Sequence, residues 1–246
     1  MTQKEIINTT PKKSPVEILT RQQLHKTAVE RVHLIAEEFT DAFNFLQKYP
    51  KSVTVFGGTR FVETDPQYAS ARSLSGRIAK ELNYSVITGG GPGIMEAANR
   101  GAFEAGGTSL GLTIELSNHQ IKNDYLTDNL DFYYFFSRKV CMSFSAEAYI
   151  FFPGGYGTLD EFFEIVTLVQ TKKIEAVPII LVGSDFWKPL DELMRKELLG
   201  RGTIDPDDLD LYKIVDDENE IMEIVKNSPI RNGVQFTHNH IHSEQK

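Results

Sequence analysis

The strongest constraint on the fold is a regular alternation of short apolar runs with segments of helical periodicity. The apolar runs predict strands at Ser52–Phe56, Tyr84–Thr88, Thr108–Ile114, Asp131–Phe135, Ala148–Phe152 and Val177–Val182. The segments between and after them predict helices at Pro66–Leu82, Pro92–Ala105, Val140–Glu147, Leu159–Gln170, Phe186–Leu199 and Glu218–Lys226. Apolar strands separated by helices are typical of a parallel sheet covered on both faces. We therefore predict an α/β fold, a Rossmann-like, doubly wound parallel sheet in a single domain.

An amphipathic segment precedes the first strand. From Leu24 to Leu46 the apolar residues lie three or four positions apart, which predicts an N-terminal helix over residues 20–48 that ends before Pro50. This helix either packs on its own domain or helps to form a subunit interface. We expect residues 1–19 to be a flexible arm, residues 20–227 to form the domain, and residues 228–246 to be a disordered tail.

Charge and composition exclude several classes of function. The chain has 26 Lys and Arg against 34 Asp and Glu, a net charge of −8, which does not suit a general binder of nucleic acids or anionic membranes. Its single cysteine, Cys141, excludes intrachain disulfides. No apolar stretch approaches the length of a membrane span. We expect a cytoplasmic protein.

Three predicted strands end in glycine-rich turns: FGGTR at Phe56–Arg60, TGGGPG at Thr88–Gly93 and PGGYGT at Pro153–Thr158. In open α/β sheets, ligands bind at the carboxyl ends of the strands. Glycine lets the backbone approach a ligand, and the N–H groups at a helix N-terminus attract phosphate. Together the turns indicate a ligand that carries a phosphate group.

The two most familiar nucleotide-binding loops do not fit these turns. No segment matches the P-loop pattern GxxxxGK[ST], and the first strand ends in GGTRF, which is not the dinucleotide fingerprint GxGxxG. The sequence therefore disfavours both a P-loop ATPase and an NAD-dependent oxidoreductase.

The third turn allows two interpretations. Thr158 to Glu161 reads T-x-x-E, which is typical of a capping box with Thr158 at the helix N-cap. Alternatively, Glu161 places a carboxylate one turn from a phosphate site, where it can stabilise positive charge on a sugar or activate a water molecule. The spacing alone favours neither.

A second polar group follows the fourth predicted strand. Ser137 is a candidate N-cap, and Arg138 and Lys139 come directly after it. Two cations at the start of a helix oppose the helix dipole, so we consider an anion-binding pair beside the alternative of a solvated surface pair. The aromatic run Phe132–Phe136 is expected to lie in a buried strand, although one of its members could stack on a base.

Taken together, these motifs resemble those of the Lonely Guy (LOG) family. PGGYGTLDE at Pro153–Glu161 fits PGGxGTxxE, and TGGGPGIMEAANRGA at Thr88–Ala102 and SRK at Ser137–Lys139 stand in the expected order. The family includes cytokinin riboside 5′-monophosphate phosphoribohydrolases and was long labelled "possible lysine decarboxylase". The similarity covers about Ser52–Leu199 and is closest to a longer bacterial branch.

The resemblance implies a reaction and a set of site residues. It implies hydrolysis of the N-glycosidic bond of a purine nucleoside 5′-monophosphate, with Arg138 and Glu161 as the catalytic pair. The residues that it places around the substrate are Gly90, Gly91, Lys139, Gly154, Gly155, Tyr156, Gly157, Thr158 and Thr167. It also implies a homodimer or a larger homo-oligomer.

The chain departs from the short plant-type pattern at two places. Glu96 replaces a glycine and either binds ribose hydroxyls or faces solvent. The family's ribose-binding glutamate has no clear counterpart. By distance from Arg138 the closest position is Gln120, with His119 adjacent and Glu115 further back. These departures affect base and sugar selectivity more than reaction type.

We expect neither a cofactor nor a metal ion. A decarboxylase normally needs pyridoxal phosphate on a lysine, and the matching motifs supply an arginine, a glutamate and a phosphate turn instead. His238, His240 and His242 have a spacing that could hold a metal, but they lie in the predicted tail. The alternative to an enzyme is a non-catalytic nucleotide-binding or cofactor-carrier protein.

Overall fold

A computed structural model of the chain describes residues 20–115 and 122–229. The chain divides into two compact units, with the boundary between Glu37 and Glu38. The boundary falls inside the first helix, α1, which spans Arg21–Leu46. Its start is fixed by a capping box, since Gln23 N donates to Thr20 Oγ1 and Thr20 N donates to Gln23 Oε1.

The second unit is built on a seven-stranded, fully parallel sheet with the order β4-β3-β2-β1-β5-β6-β7. The strands are β1 Ser52–Phe56, β2 Ser85–Thr88, β3 Ser109–Ile114, β4 Asp128–Phe132, β5 Ala148–Phe151, β6 Ile179–Leu181 and β7 Lys213–Ile214. The helices that follow α1 are α2 Pro66–Leu82, α3 Ile94–Glu104, α4 Phe135–Ser143, α5 Tyr156–Gln170, α6 Ser184–Leu193 and α7 Glu218–Lys226. A π-helical turn, Met194–Leu199, extends α6, and a 3-10 helix lies at Pro206–Asp210. The predicted α/β, doubly wound class is confirmed.

Apolar side chains fill a core on each face of the sheet. One core combines strand residues such as Val53 and Ile150 with α2, α3 and α7. The other combines Phe56 and Phe151 with α4, α5 and α6. Because neighbouring strand residues point to opposite faces, continuous apolar strands supply both cores. Trp187 of α6 is fully buried in the second core, as expected for a packing residue.

The region around β4 and α4 corrects two expectations. The strand ends at Phe132, and α4 begins at Phe135, well before the predicted start at Val140. Ser137 therefore lies inside α4, and the N-cap is Tyr134. The aromatic run is not a buried strand, because Tyr133 is 68% exposed and Phe135 62% exposed. Aromatic residues have high strand propensity, which explains why the sequence predicts a strand as far as Phe135.

Candidate active site

The candidate site lies at the carboxyl edge of the sheet, where β1 stands between β2 and β5. Chain order reverses at β1, and such switch points open a crevice for ligands. A cleft of about 240 Å³ opens there, and we call it the Arg138–Glu161 cleft. It is lined by Phe56, Gly57, Gly58, Thr59, Gly89, Met95, Arg138, Met142, Gly155, Gly157, Thr158 and Glu161.

Arg138 enters the cleft from the first turns of α4. Its Nε donates a 2.6 Å hydrogen bond to Leu112 O in β3. The guanidinium lies directly over Gly89, where any β-carbon would collide with it. Burial lowers the pKa of Arg138, and the carboxylate of Glu161 opposes that shift. The site therefore holds a fixed cation that faces a carboxylate.

Glu161 enters the same cleft from α5 and is partly buried. Burial raises its pKa to about 7, because a carboxylate loses solvation there. The positive charge of Arg138 lowers that pKa, while the neighbouring Asp160 raises it. A glutamate that is partly protonated near neutral pH is suited to proton transfer.

The start of α5 overturns the capping-box interpretation of Glu161. The helix begins at Tyr156 with Gly155 as its N-cap, and no side chain in the described part of the chain caps it. Thr158 is instead a buried residue of the first turn, packed against Gly154. Glu161 is therefore free of a capping role and points to the cleft. The first N–H groups of α5 have no partners within the helix, so they are available to an anion.

Gly155 and Gly157 are glycines that the packing of the chain does not require. No heavy atom of the described residues lies within 4 Å of a β-carbon built at either position. Gly155 also has an ordinary extended backbone, with φ −92°. Both line the Arg138–Glu161 cleft, so a side chain at either position would occupy ligand space.

Gly90 and Gly91 lie outside the set of residues that line this cleft. Gly90 has φ +71°, and a side chain there would strike Thr113. Its N–H donates to Thr88 Oγ1, and its carbonyl accepts from Asn123 N at 2.9 Å. These contacts give Gly90 a structural reason to be glycine. Gly89 is the glycine of this turn that lines the cleft. That Gly90 and Gly91 contact the substrate stays a prediction.

The remaining substrate-binding candidates are distributed more widely. Lys139 forms ion pairs with Asp160 at 2.7 Å and Glu164 at 3.4 Å, which tie α4 to α5. Glu96 accepts a 2.9 Å hydrogen bond from the Tyr68 hydroxyl and does not line the Arg138–Glu161 cleft.

Two further candidates sit away from the cleft or outside the described ranges. Thr167 is exposed on α5, and its carbonyl accepts from Thr171 Oγ1. Gln120 and its neighbour His119 lie outside the described residues.

A larger cavity of about 660 Å³ adjoins the cleft and shares Gly58, Thr59 and Gly155 with it. Its other lining residues include the aromatic side chains of Phe61, Tyr156 and Phe186, together with Arg60, Asp65, Pro153 and Gly154. Tyr156 is 94% exposed, so its ring has room to contact a ligand. The sequence offered no signal for Phe61 or Phe186, because neither belongs to a recognisable motif.

The described residues contain neither a cluster of metal ligands nor a membrane-spanning helix. Within 20–115 and 122–229, no three His, Cys, Asp or Glu residues are grouped as metal ligands. The histidines at 238, 240 and 242 lie outside these ranges. Over the same ranges, each helix is too short or too polar to serve as a membrane-spanning segment.

Comparison with known proteins supports the motif-based resemblance. The family model described as "Possible lysine decarboxylase" matches residues 95–225. A cytokinin riboside 5′-monophosphate phosphoribohydrolase of Rhodococcoides fascians is 29% identical over 148 residues, which cover 57% of this chain and 72% of that protein. An Arabidopsis thaliana protein of the same name, LOG5, is 28% identical over 136 residues, which cover 55% of this chain and 59% of its own length.

Solved structures share the fold at lower identity. The crystal structure of TM1055 superposes with a TM-score of 0.53 at 22% identity, over 72% of this chain and 98% of that one. A molybdenum cofactor carrier protein from Chlamydomonas reinhardtii superposes with a TM-score of 0.51 at 22% identity, over 72% of this chain and 97% of that one. The family model covers more than half of the chain, and its span includes Arg138 and Glu161. The chain therefore belongs to the "possible lysine decarboxylase" family, the LOG family that its motifs indicate.

Proposed function

We propose that this protein hydrolyses the N-glycosidic bond of purine nucleoside 5′-monophosphates, either AMP or an N6-substituted relative, to the free base and ribose 5-phosphate. The observation that carries the proposal is the meeting of Arg138, Glu161 and the N-terminus of α5 in one cleft. The names of the R. fascians and A. thaliana relatives support the same reaction.

The substrate's phosphate would bind at the start of α5. The unpaired N–H groups of that turn and the helix dipole favour an anion. Gly155 and Gly157 leave open space in front of those groups, so an oxygen atom can approach the backbone. Binding energy from the phosphate would then hold C1′ of the ribose beside Glu161.

Glu161 would act on the developing cation and on water. As the C1′–N9 bond breaks, its electron pair leaves with the base and positive charge grows on the sugar, where a carboxylate stabilises it. The oxygen of a water molecule bonds to C1′ and Glu161 takes up one of the water's protons. N9 of the departing base gains a proton from solvent, and Glu161 later returns one to solvent, so the protons balance. The pKa of about 7 allows Glu161 to accept that proton and release it again.

Arg138 would support this chemistry as a fixed cation. It lowers the pKa of Glu161 and so enlarges the ionised fraction of that carboxylate. Its hydrogen bond to Leu112 O leaves the Nη atoms of the guanidinium for an oxygen of the substrate.

The base would extend into the adjoining cavity. The Arg138–Glu161 cleft, at about 240 Å³, is smaller than the 300–1,000 Å³ typical of ligand pockets, so a whole nucleotide needs further space. The aromatic rings of Phe61 and Phe186 border that space and suit a planar base.

The test is incubation of the purified protein with AMP, GMP, CMP, UMP and isopentenyladenosine 5′-monophosphate, with chromatographic detection of free base. Glu161→Gln should reduce turnover by roughly 10²–10⁴, the range typical of acid–base and charge-stabilising groups. Glu175→Gln, at an exposed position after α5, is the matched control and should retain wild-type turnover. Near-normal turnover in Glu161→Gln would refute the assignment.

A carrier role is the second candidate, because solved structures with this fold include molybdenum cofactor carrier proteins. A carrier needs the phosphate-binding turn but does not need a carboxylate with a raised pKa beside an arginine. Binding of AMP, seen as an increase in melting temperature, without release of base from any of the five nucleotides would favour the carrier.

We also propose that the protein acts in the cytoplasm as a homodimer or larger homo-oligomer. Exposed apolar side chains on α1, including Val29 at 56% and Val32 at 64%, supply surface for a subunit contact. Sedimentation velocity of wild type and Val32→Glu should show an oligomer that the variant weakens. A monomeric wild-type protein at micromolar concentration would refute this part of the proposal.

A further inference from the structure

A carboxylate from α1 holds the start of α4. Glu38 Oε1 accepts a 2.6 Å hydrogen bond from Tyr133 N, and Oε2 hydrogen-bonds the hydroxyl of Ser137. Glu38 is partly buried, and Ser137 is fully buried. One carboxylate thus makes two directed bonds, one to the residue before the N-cap and one to a side chain of the first turn, and these restrain how α4 begins.

Among the described residues, no side chain caps the start of α4 in the usual way. Tyr134, its N-cap residue, makes no capping hydrogen bond, and the helix is only nine residues long. A carboxylate is stabilising at a helix N-terminus, because it compensates unpaired N–H groups and the positive end of the dipole. Glu38 therefore places a carboxylate beside the N-terminus of α4 from a distant part of the chain, bonded to the residue before the N-cap and to the first turn.

Arg138 follows Ser137 directly, and its place depends on the same turn. Its side chain must leave α4 at the right point for Nε to reach Leu112 O at 2.6 Å and for the guanidinium to cover Gly89. A shift of the first turn would move the guanidinium within the cleft. Displacements of about 1 Å at a reacting group can reduce rates by about 10²-fold.

We infer that Glu38 is a positioning residue for Arg138, acting through Ser137 and the first turn of α4. Its effect on turnover rests on the proposed function, whereas its effect on α4 does not. Glu38 lies outside residues 95–225, which the family model matches, so the family motifs give no indication of this role.

The first experiment compares Glu38→Ala with Glu37→Ala. Glu37 is the adjacent residue, exposed and paired only loosely with His33 at 3.5 Å, so its variant should keep wild-type kinetics. Glu38→Ala should lower kcat by about 10–100-fold with a much smaller change in KM. Unchanged kcat in correctly folded Glu38→Ala would overturn the inference.

A double-mutant comparison separates positioning from general stability. Arg138→Lys removes the guanidinium that Glu38 is inferred to place, so adding Glu38→Ala in that background should change kcat by less than about threefold. If the two substitutions instead multiply, Glu38 acts independently of Arg138 and the inference fails.

Hydrogen exchange supplies a measurement that needs no turnover. The amide of Tyr133 should lose protection in Glu38→Ala, because it loses its acceptor, and the amide of Arg138 should exchange faster with it. Unchanged exchange at both amides would refute the role of Glu38 at the start of α4 even if the wild-type protein proves to be a carrier. Absence of base release by the wild type, together with faster exchange in the variant, would refute only the proposed hydrolysis.

Discussion

Two glycine-rich turns that look alike in sequence differ in what the glycines do. In the β2–α3 turn, Gly90 and Gly93 have φ of +71° and +74°, and side chains there would strike neighbouring residues of the chain. In the β5–α5 turn, Gly155 and Gly157 have ordinary φ angles and open space in front of them. The first pair satisfies the chain's own packing, while the second pair faces the cleft.

Backbone φ and the space around a β-carbon distinguish structural glycines from glycines that face a ligand. A positive φ or a close neighbour explains a glycine without any ligand. A glycine that borders a cleft and has neither a positive φ nor a close neighbour is better explained by a ligand that approaches its backbone. Substitutions in the two turns should therefore affect stability in one case and ligand binding in the other.

The largest expected effect is on the stability of the β2–α3 turn. Gly93→Ala combines a positive φ with a β-carbon about 2.7 Å from Thr59 C, so we expect a loss of about 2–4 kcal/mol in unfolding free energy. Gly106→Ala is the control, since Gly106 has the same φ of +74° but no neighbour among the described residues within 4 Å. Its loss, by urea denaturation, should be only about 1 kcal/mol. Equal losses would show that packing does not constrain Gly93.

The next effect concerns the acid on the β5–α5 side. Under the proposed hydrolysis, the ionised form of Glu161 is the reactive one. Because burial raises the pKa of Glu161 to about 7, kcat/KM should rise with pH through that value. Between pH 7 and pH 5 it should fall about 50-fold, as protonation removes the carboxylate. Arg138→Gln should move this limb to higher pH, since the guanidinium lowers the pKa. If kcat/KM does not change between pH 5 and pH 8, ionisation of Glu161 has no part in the reaction.

The same raised pKa has a consequence for stability. The folded protein binds a proton at Glu161 more tightly than the unfolded chain does, so stability falls as pH rises from about 4.5 to about 7. Glu161→Gln should therefore be more stable than wild type at pH 8, by about 1–3 kcal/mol, and close to wild type at pH 4. Melting temperatures at the two pH values measure this. An equal change at both would point to packing instead of ionisation.

The smallest expected change in stability is at Gly157. Alanine is the better helix former, so Gly157→Ala should leave stability unchanged or raise it by about 0.5–1 kcal/mol. Its methyl group would enter the cleft, and AMP affinity should fall by about tenfold, measured by calorimetry. Loss of stability without loss of affinity would place Gly157 with the structural glycines.

Much of this architecture could be predicted from local sequence patterns. β1 and α2 begin and end as their apolar spacing indicates, and Arg138 and Glu161, which their motifs single out, meet in one cleft. These features depend on short-range periodicity and on the rule that strand ends share one edge of the sheet.

Other features depend on tertiary contacts that no local pattern encodes. Thr158-x-x-Glu161 has the letters of a capping box, but the helix begins three residues earlier than that assignment requires. The sequence makes Lys139 a candidate anion ligand, but its ammonium group forms ion pairs with Asp160 and Glu164 on another helix. Glu38 and Ser137 are 99 residues apart in sequence, so no pattern of neighbouring residues predicts their contact.

The only thiol of the protein lies on α4, the helix that carries Arg138. Cys141 is fully buried, and burial raises its pKa to about 12, so in the folded state it presents almost no thiolate to a reagent. Reaction with a thiol-specific dye must wait until α4 opens locally or the chain unfolds. The labelling rate of Cys141 therefore measures how often α4 opens, and no further cysteine has to be introduced for the measurement.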